Sequence, residues 1–336
     1  MSALDVGVMP ARIEAWLGSQ GMPARVVAYE LMAGGFSRVM AKVALEWPDG
    51  ATETLVLRAD PPPELATLAS DRSAEHRLLS ALSAASKLPV PGVRWFVEDE
   101  AWFGSKALFI EHVPSRTLQA HFDAGGDPAH AAERFAELMA AVAATEPSQL
   151  GLEAPHDWHA YIDGHLARWR RIETDHVEAL PIIRYLVAWL DRNRPRPLPF
   201  RLVHGDFQAA NVLVADDGTW RLIDWEFSRI GDPREDLGYY NAYSGAVPPN
   251  LAALDLDGYL RRFRERTGLS EEDVNPFTFA WFTILSTTTA VEGLHHGCAG
   301  MARGERRGAN VSFNTILSTV GYTNFLDAIG QLEASL

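Results

Sequence analysis

Between residues 204 and 226 the chain reads HGDFQAANVLVADDGTWRLIDWE, and this stretch concentrates side chains that a purely structural role does not call for. Asp206, Asn211 and Asp224 all offer oxygen donors, with no cysteine and a single histidine, His204, beside them. Such a set suits a hard cation like magnesium, which prefers oxygen ligands, keeps waters and commonly shares phosphate oxygens with its substrate. The chemistry this implies is phosphoryl transfer. The bland alternative is a loop in which Asp and Asn, both turn formers, bond their own backbone.

Positioning these residues requires particular elements around them. An apolar run ends at Leu202 and Val203, a second covers 212–214, and a third covers 220–223. Ala215-Asp216-Asp217-Gly218 separates the last two, so they read as a hairpin turning at Asp217-Gly218. Pairing of its strands brings Asn211, just before the first, and Asp224, just after the second, to one end. Asp206 sits in the loop leading there. Gly231-Asp232-Pro233 and Asp236-Leu237-Gly238 follow in order, and this joint spacing favours the chemical reading over the turn reading.

H-G-D-x-x-x-x-N followed by I-D-W-E resembles the aminoglycoside phosphotransferase and choline kinase branch of the protein-kinase-like superfamily. The loop is similar to the protein-kinase catalytic loop, and IDWE stands where protein kinases have D-F-G. The resemblance implies that Asp206 orients the substrate hydroxyl and accepts its proton, and that Asn211 and Asp224 hold magnesium. It makes Glu226 a further ligand or a substrate contact, His204 a prop for the loop, and Asp232 and Asp236 carboxylates that brace the loop and cap the next helix.

Upstream, residues 25–32, 39–45 and 52–58 read as strands, with Ala33-Gly34-Gly35-Phe36-Ser37 between the first two and Pro48-Asp49-Gly50 between the others. A glycine loop lets backbone N–H groups close over phosphates, and Gly34-Gly35 alone also fits an ordinary hairpin turn. Many relatives have a G-G-x-S/T loop followed by a strand ending in L-R, so the resemblance makes Gly34, Gly35, Phe36 and Ser37 phosphate contacts. It also puts Arg58 where protein kinases carry a lysine, in a chain whose only lysines are Lys42, Lys87 and Lys106. An arginine there keeps its charge and can bind phosphate oxygens bidentately; a solvated arginine at a strand end is the plain alternative.

Residues 71–82 read as a helix capped by Asp or Ser, with Leu78, Leu79 and Leu82 on its apolar face. By resemblance Glu75 is the helix glutamate that pairs with Arg58; an exposed first-turn glutamate favoured by the helix dipole is the alternative. Residues 93–97 and 107–113 complete a five-stranded antiparallel sheet. The run ALFIEHV matches the family's hinge strand, making Glu111 to Val113 backbone contacts for adenine.

Helical patterns then cover 131–144, 158–172, 181–190, 251–266, 274–294 and 311–332, with Trp158, Trp169 and Trp189 as core residues. His295, His296 and Cys298 fall short of a zinc spacing. Arg303, Arg306 and Arg307 form a basic run that could take an anionic substrate group or lie in a solvated loop. GYLRRF and FTFAWFTIL, followed by this arginine segment, are similar to the subgroup fused to or encoded beside acyl-CoA dehydrogenases, which implies hydroxyacyl substrates. The family likeness spans about residues 20 to 330.

Composition bounds the reading further. At 336 residues, 47% hydrophobic and 22% charged, the chain is globular and long enough for two lobes. A net charge of −14 argues against a nucleic-acid partner. The lone cysteine, Cys298, rules out a disulfide within the chain and fits a cytoplasmic setting. Residues 1–9 lack a basic region before an apolar segment, and 277–291 is too short to span a bilayer, so neither a signal peptide nor a membrane partner is expected. No feature specifies an oligomeric state.

The expectation is therefore an α+β, two-lobed, protein-kinase-like fold, with an ATP-binding lobe over residues 1–113 and a mainly helical lobe over 114–336. Its function would be transfer of the γ-phosphoryl of ATP, with Mg2+, to a hydroxyl of a small molecule, aminoglycoside-like or hydroxyacyl. A catalytically silent nucleotide-binding module and a protein kinase are the rivals, the latter disfavoured because no Ala-Pro-Glu follows IDWE. A Walker-type site and a Gly-x-Ser-x-Gly hydrolase elbow are both missing from the sequence.

Overall fold

The computed structural model describes residues 7–32, 39–60, 71–85, 88–175, 181–286, 303–304 and 329–330. In chain order its elements are α1 (Met9–Ser19), β1 (Arg25–Leu31), β2 (Val39–Glu46), β3 (Thr52–Ala59), α2 (Arg72–Ala85), β4 (Val93–Val97), β5 (Ala107–Glu111) and β6 (Ser115–Thr117). There follow α3 (Leu118–Asp123), α4 (Pro128–Ala143), α5 (Trp158–Asp175), α6 (Pro181–Arg192), β7 (Arg201–Val203), β8 (Val212–Ala215), β9 (Trp220–Leu222) and β10 (Arg229–Gly231). The last described helices are α7 (Glu235–Ala246), α8 (Leu251–Leu254), α9 (Leu256–Thr267) and α10 (Pro276–Ser286). The class is α+β, as the sequence patterns indicate.

The chain divides into two compact units, one of residues 1–116 with 213–226, the other of 117–212 with 227–336. The first is built on a five-stranded antiparallel sheet in the order β1-β2-β3-β5-β4. Consecutive hairpins make the first three strands, and β5 inserts between β3 and β4. Alternation along β3 sends Leu55, Leu57 and Ala59 into the core beside Ala41, Val43 and Leu45 of β2. Trp16 of α1 lies flat on Phe109 of β5, centroids 5.5 Å apart and planes 5° from parallel, with Trp95 and Phe103 packed edge-on around the pair. Each such side chain contributes about 1.5–3 kcal/mol by leaving water. Helix α2 begins where Asp71 accepts from the N–H groups of Ser73 and Ala74 at 3.0 and 3.1 Å.

The second unit is mainly helical. Its core joins Trp158, Ile162, Leu166 and Trp169 of α5 to Leu186 and Leu190 of α6 and to Trp281 and Phe282 of α10. The three tryptophans expected in the core are there, Trp158, Trp169 and Trp189 being 5%, 0% and 4% exposed. Helices α7 and α10 approach so closely that a Cβ on Gly238 would stand 2.1 Å from the backbone of Phe282, so only glycine fits. The continuous helix expected over 251–266 is instead two, because the Asp255 carboxylate accepts from the Gly258 N–H at 3.0 Å and starts a new N-terminus. The patterns for 287–294 and 311–332 fall outside the described residues, Ile329 and Gly330 apart. No helix among the described residues is long and apolar enough to cross a membrane.

Candidate active site

In the second unit, β7 pairs antiparallel with β10, Val203 opposite Arg229 and Arg201 opposite Gly231. The loop of residues 204–211 leaves from the end of β7. Its first turn needs glycine at 205, where φ is +83° and a Cβ would meet the Phe227 carbonyl oxygen at 2.3 Å. Asp236, near the start of α7 and 2% exposed, accepts from the backbone N–H groups of His204 and Gly205 at 2.8 and 2.9 Å. Burial pushes this carboxyl group up to about 6, while the two N–H donors pull the other way. His204 is fully buried, and its Nδ1 accepts from the Asp206 N–H at 3.2 Å. A donor facing Nδ1 leaves the ring's proton on Nε2.

These contacts deliver Asp206. Its Oδ1 accepts from Gln208 Nε2 at 2.7 Å and from the hydroxyl of Tyr239 on α7. Its Oδ2 accepts from Asn211 Nδ2 at 2.8 Å, and the same amide nitrogen donates to the Asp206 backbone carbonyl at 2.8 Å. With its nitrogen so anchored, the Asn211 amide has only one orientation, and its oxygen is turned away from Asp206.

In the first unit, Arg58 stands on β3 opposite Met40 and Leu108 and is 3% exposed. One terminal nitrogen meets Glu75 at 3.1 Å, and the other meets Asp224 Oδ1 at 2.6 Å. Burial lowers the pKa of the guanidinium, but the Glu75 and Asp224 carboxylates outweigh it and raise the value overall. Glu75 is shared: Arg72, also buried, bonds its other oxygen and reaches Asp60. Both arginines keep an Nε buried with no hydrogen-bond partner.

Asp224 is the one non-glycine residue with positive φ among those described, at 68°. Such a conformation costs on the order of 1 kcal/mol and persists where the surroundings over-determine it. Here β8 and β9 form the expected hairpin, with Asp217 accepting from the N–H and hydroxyl of Thr219 in its turn. Leu222 N–H is tied to the Pro89 carbonyl at 2.7 Å, and buried Trp225 closes the next turn through Nε1–H to the Leu222 carbonyl at 3.0 Å. Glu226 follows in that turn, half-buried.

The other expected residues divide. Glu111 donates its N–H to the Gly92 carbonyl at 2.8 Å and accepts on its side chain from the Gly92 N–H, whereas the Val113 N–H makes no hydrogen bond among the described residues. Among the described residues Asp232 makes no hydrogen bond to the 204–211 loop: it pairs with Arg234, accepts from that residue's N–H at 3.0 Å at the start of α7, and accepts from Trp158 Nε1 at 2.7 Å. Arg303 is exposed, while Gly34, Gly35, Phe36, Ser37, Arg306, Arg307, His295, His296 and Cys298 lie outside the described residues. Three residues that hold these side chains escaped the sequence reading. Tyr239 and Gln208 flank Asp206, and Arg72 stands three residues before Glu75; the i,i+3 spacing of Asp236 and Tyr239 was the available signal.

A family model described as "Phosphotransferase enzyme family" matches residues 33–271, well over half of the chain. The chain belongs to that family. Relatives of this phosphotransferase chain include acyl-CoA dehydrogenase family member 10 from Mus musculus, 26% identical over 56% of this chain and 18% of that protein. Acyl-CoA dehydrogenase family member 11 from Homo sapiens is 26% identical over 57% of this chain and 25% of its own length. The chain thus spans about a quarter or less of these relatives.

Among solved structures, a putative aminoglycoside phosphotransferase from Ralstonia eutropha superposes with a TM-score of 0.70 at 20% identity, covering 95% of this chain and 98% of that one. Choline kinase LicA from Streptococcus pneumoniae gives 0.60 at 14% identity, with 94% and 99% covered. A thermostable mutant of aminoglycoside phosphotransferase APH(4)-Ia, in ternary complex with AMP-PNP and hygromycin B, gives 0.60 at 17%, with 93% and 97% covered. The phosphotransferase-family chain therefore has the protein-kinase-like fold expected from its motifs.

Proposed function

We propose that this chain transfers the γ-phosphoryl group of ATP, with magnesium, to a hydroxyl group of a small molecule. The observation that carries the reading is the state of Asp206, whose carboxylate is fixed by Asn211, Gln208 and Tyr239 within the H-G-D-x-x-x-x-N loop. So held, it orients an incoming hydroxyl and takes its proton as the new O–P bond forms. Asn211, its nitrogen committed to Asp206, would offer its amide oxygen to the metal, and the resemblance adds Asp224 and Glu226 as the carboxylates that would hold it. Oxygen donors of these kinds suit magnesium, which would neutralise charge on the phosphate oxygens.

Arg58 holds Asp224 and Glu75, and by the resemblance its cation lies on the phosphate side of the nucleotide. Val113 offers the N–H for the adenine edge. Nucleotide use is supported by the fold neighbour that carries AMP-PNP. For the acceptor, the acyl-CoA dehydrogenase relatives favour a hydroxyacyl compound. The net charge of −14 favours a second reading, a cationic aminoglycoside-like acceptor. A cytoplasmic setting, where ATP and magnesium are at hand, belongs to the same proposal.

The test is magnesium-dependent ATP consumption across hydroxyacyl-CoA esters, aminoglycosides, macrolides, choline and sugars, with Asp206→Ala as control. Turnover with one class, lost in the variant, supports the reading and names the acceptor. ATP binding without turnover on any acceptor would replace it with a silent nucleotide-binding module.

A further inference from the structure

The fold supplies Asp206 with a partner that its loop motif does not contain. Helix α7 sets Asp236, Tyr239 and Tyr243 three and four residues apart, on one stripe. Asp236 holds the loop backbone through His204 and Gly205. Tyr239 holds the side chain, its hydroxyl donating to Asp206 Oδ1, and its ring stacks on Tyr243 with centroids 6.2 Å apart and planes 18° from parallel.

A buried phenol that needed only a partner for its proton would be satisfied by a backbone carbonyl. The next residue shows this, since Tyr240 donates to the Pro249 carbonyl at 3.1 Å. Tyr239 instead donates its O–H to a carboxylate, a charge-assisted bond of the stronger kind. Burial and the neighbouring Asp206 raise the phenol well above its usual value, so the hydroxyl keeps its proton and remains a donor. Gln208 adds a second donor on the same oxygen at 2.7 Å, and the two donors fix the plane of the carboxylate. Orientation matters here, because a reacting group misplaced by about 1 Å can cost on the order of a hundredfold in rate.

We propose that Tyr239 is a positioning residue of the phosphoryl-transfer reaction, its hydroxyl setting the orientation in which Asp206 meets the acceptor hydroxyl. The inference rests on the role given to Asp206 under the proposed function. The test compares Tyr239→Phe, Asp206→Asn and the double variant in magnesium-dependent ATP turnover. Tyr239→Phe keeps the ring and its stacking on Tyr243 and removes only the O–H. Its kcat should fall about tenfold with KM for ATP nearly unchanged, and the double variant should be no slower than Asp206→Asn alone.

A second measurement needs no acceptor. The wild-type protein should show a downfield, slowly exchanging hydroxyl-proton resonance by NMR that is absent in Tyr239→Phe and displaced in Asp206→Asn. Absence of that resonance from the wild type overturns the proposal. Wild-type kcat in Tyr239→Phe beside an inactive Asp206→Asn overturns it while leaving the proposed function in place. Full turnover by Asp206→Asn removes the function assigned to the loop, and the positioning role with it.

Discussion

Two carboxylates, Asp206 in the second unit and Asp224 in the first, are held by opposite means. Asp206 accepts from three neutral donors: an amide from Asn211, an amide from Gln208 and a phenol from Tyr239. Asp224 is held by a cation, the Arg58 guanidinium, which also grips Glu75. Neutral donors orient a carboxylate without cancelling its charge, whereas an arginine partner favours the ionised form and offsets that charge. The first arrangement suits a group that must accept a proton. Under the proposed function, the second suits a carboxylate that would share its charge with a metal cation.

The comparison can be broken at either end. Asp206→Asn keeps the shape and removes the base, so kcat should fall about 10³-fold, or about 4 kcal/mol of barrier, with ATP binding by calorimetry retained. Turnover within a few-fold of wild type would show that the neutral donors orient nothing catalytic. Glu75→Gln leaves Arg58 and Arg72 buried with half their compensation, and should lower unfolding free energy by about 3 kcal/mol in urea titrations. A loss below about 1 kcal/mol would mean that the two arginines find other partners.

Gly205→Ala meets the Phe227 carbonyl and a left-handed backbone at once, and should cost about 2 kcal/mol while depressing turnover. The smallest effect sharpens the picture of Asp236. Its carboxyl group, pushed up to about 6, binds a proton more tightly folded than unfolded, so its contribution to stability is present at low pH and is lost as pH rises from about 4 through about 6. Asp236→Asn should flatten that interval of the stability profile by about 1 kcal/mol per pH unit. Identical wild-type and variant slopes would contradict the assignment.

Much of this was legible in the sequence. The sheet could be read because its first strands are punctuated by Ala33-Gly34-Gly35-Phe36-Ser37 and Pro48-Asp49-Gly50, and the hairpin because Asp217-Gly218 fits its turn. Asp206, Asn211 and Asp224 stood out because their spacing follows one short stretch. Tyr239 and Arg72 did not, since a tyrosine on a helix and an arginine before a glutamate are ordinary until tertiary packing points them at a carboxylate. The break at Asp255 was hidden for a different reason: the apolar period runs through it, and only the side chain's choice of the Gly258 N–H ends one helix and begins another. Asp232 and Asp236 look alike in sequence, yet one turns to Arg234 and the other to the loop.

The first unit also takes in residues 213–226 from the far half of the chain, and the three-stranded sheet runs β6-β8-β9. Neither unit is therefore a continuous length of polypeptide, and the HGD and IDWE motifs, only 23 residues from His204 to Glu226, fall on either side of the division. A gene cut at residue 116 would encode a sheet without Asp224 and a helical part carrying two strands that belong elsewhere. Such a cut separates Arg58 and Glu75 from Asp224, the carboxylate they are tied to within the first unit.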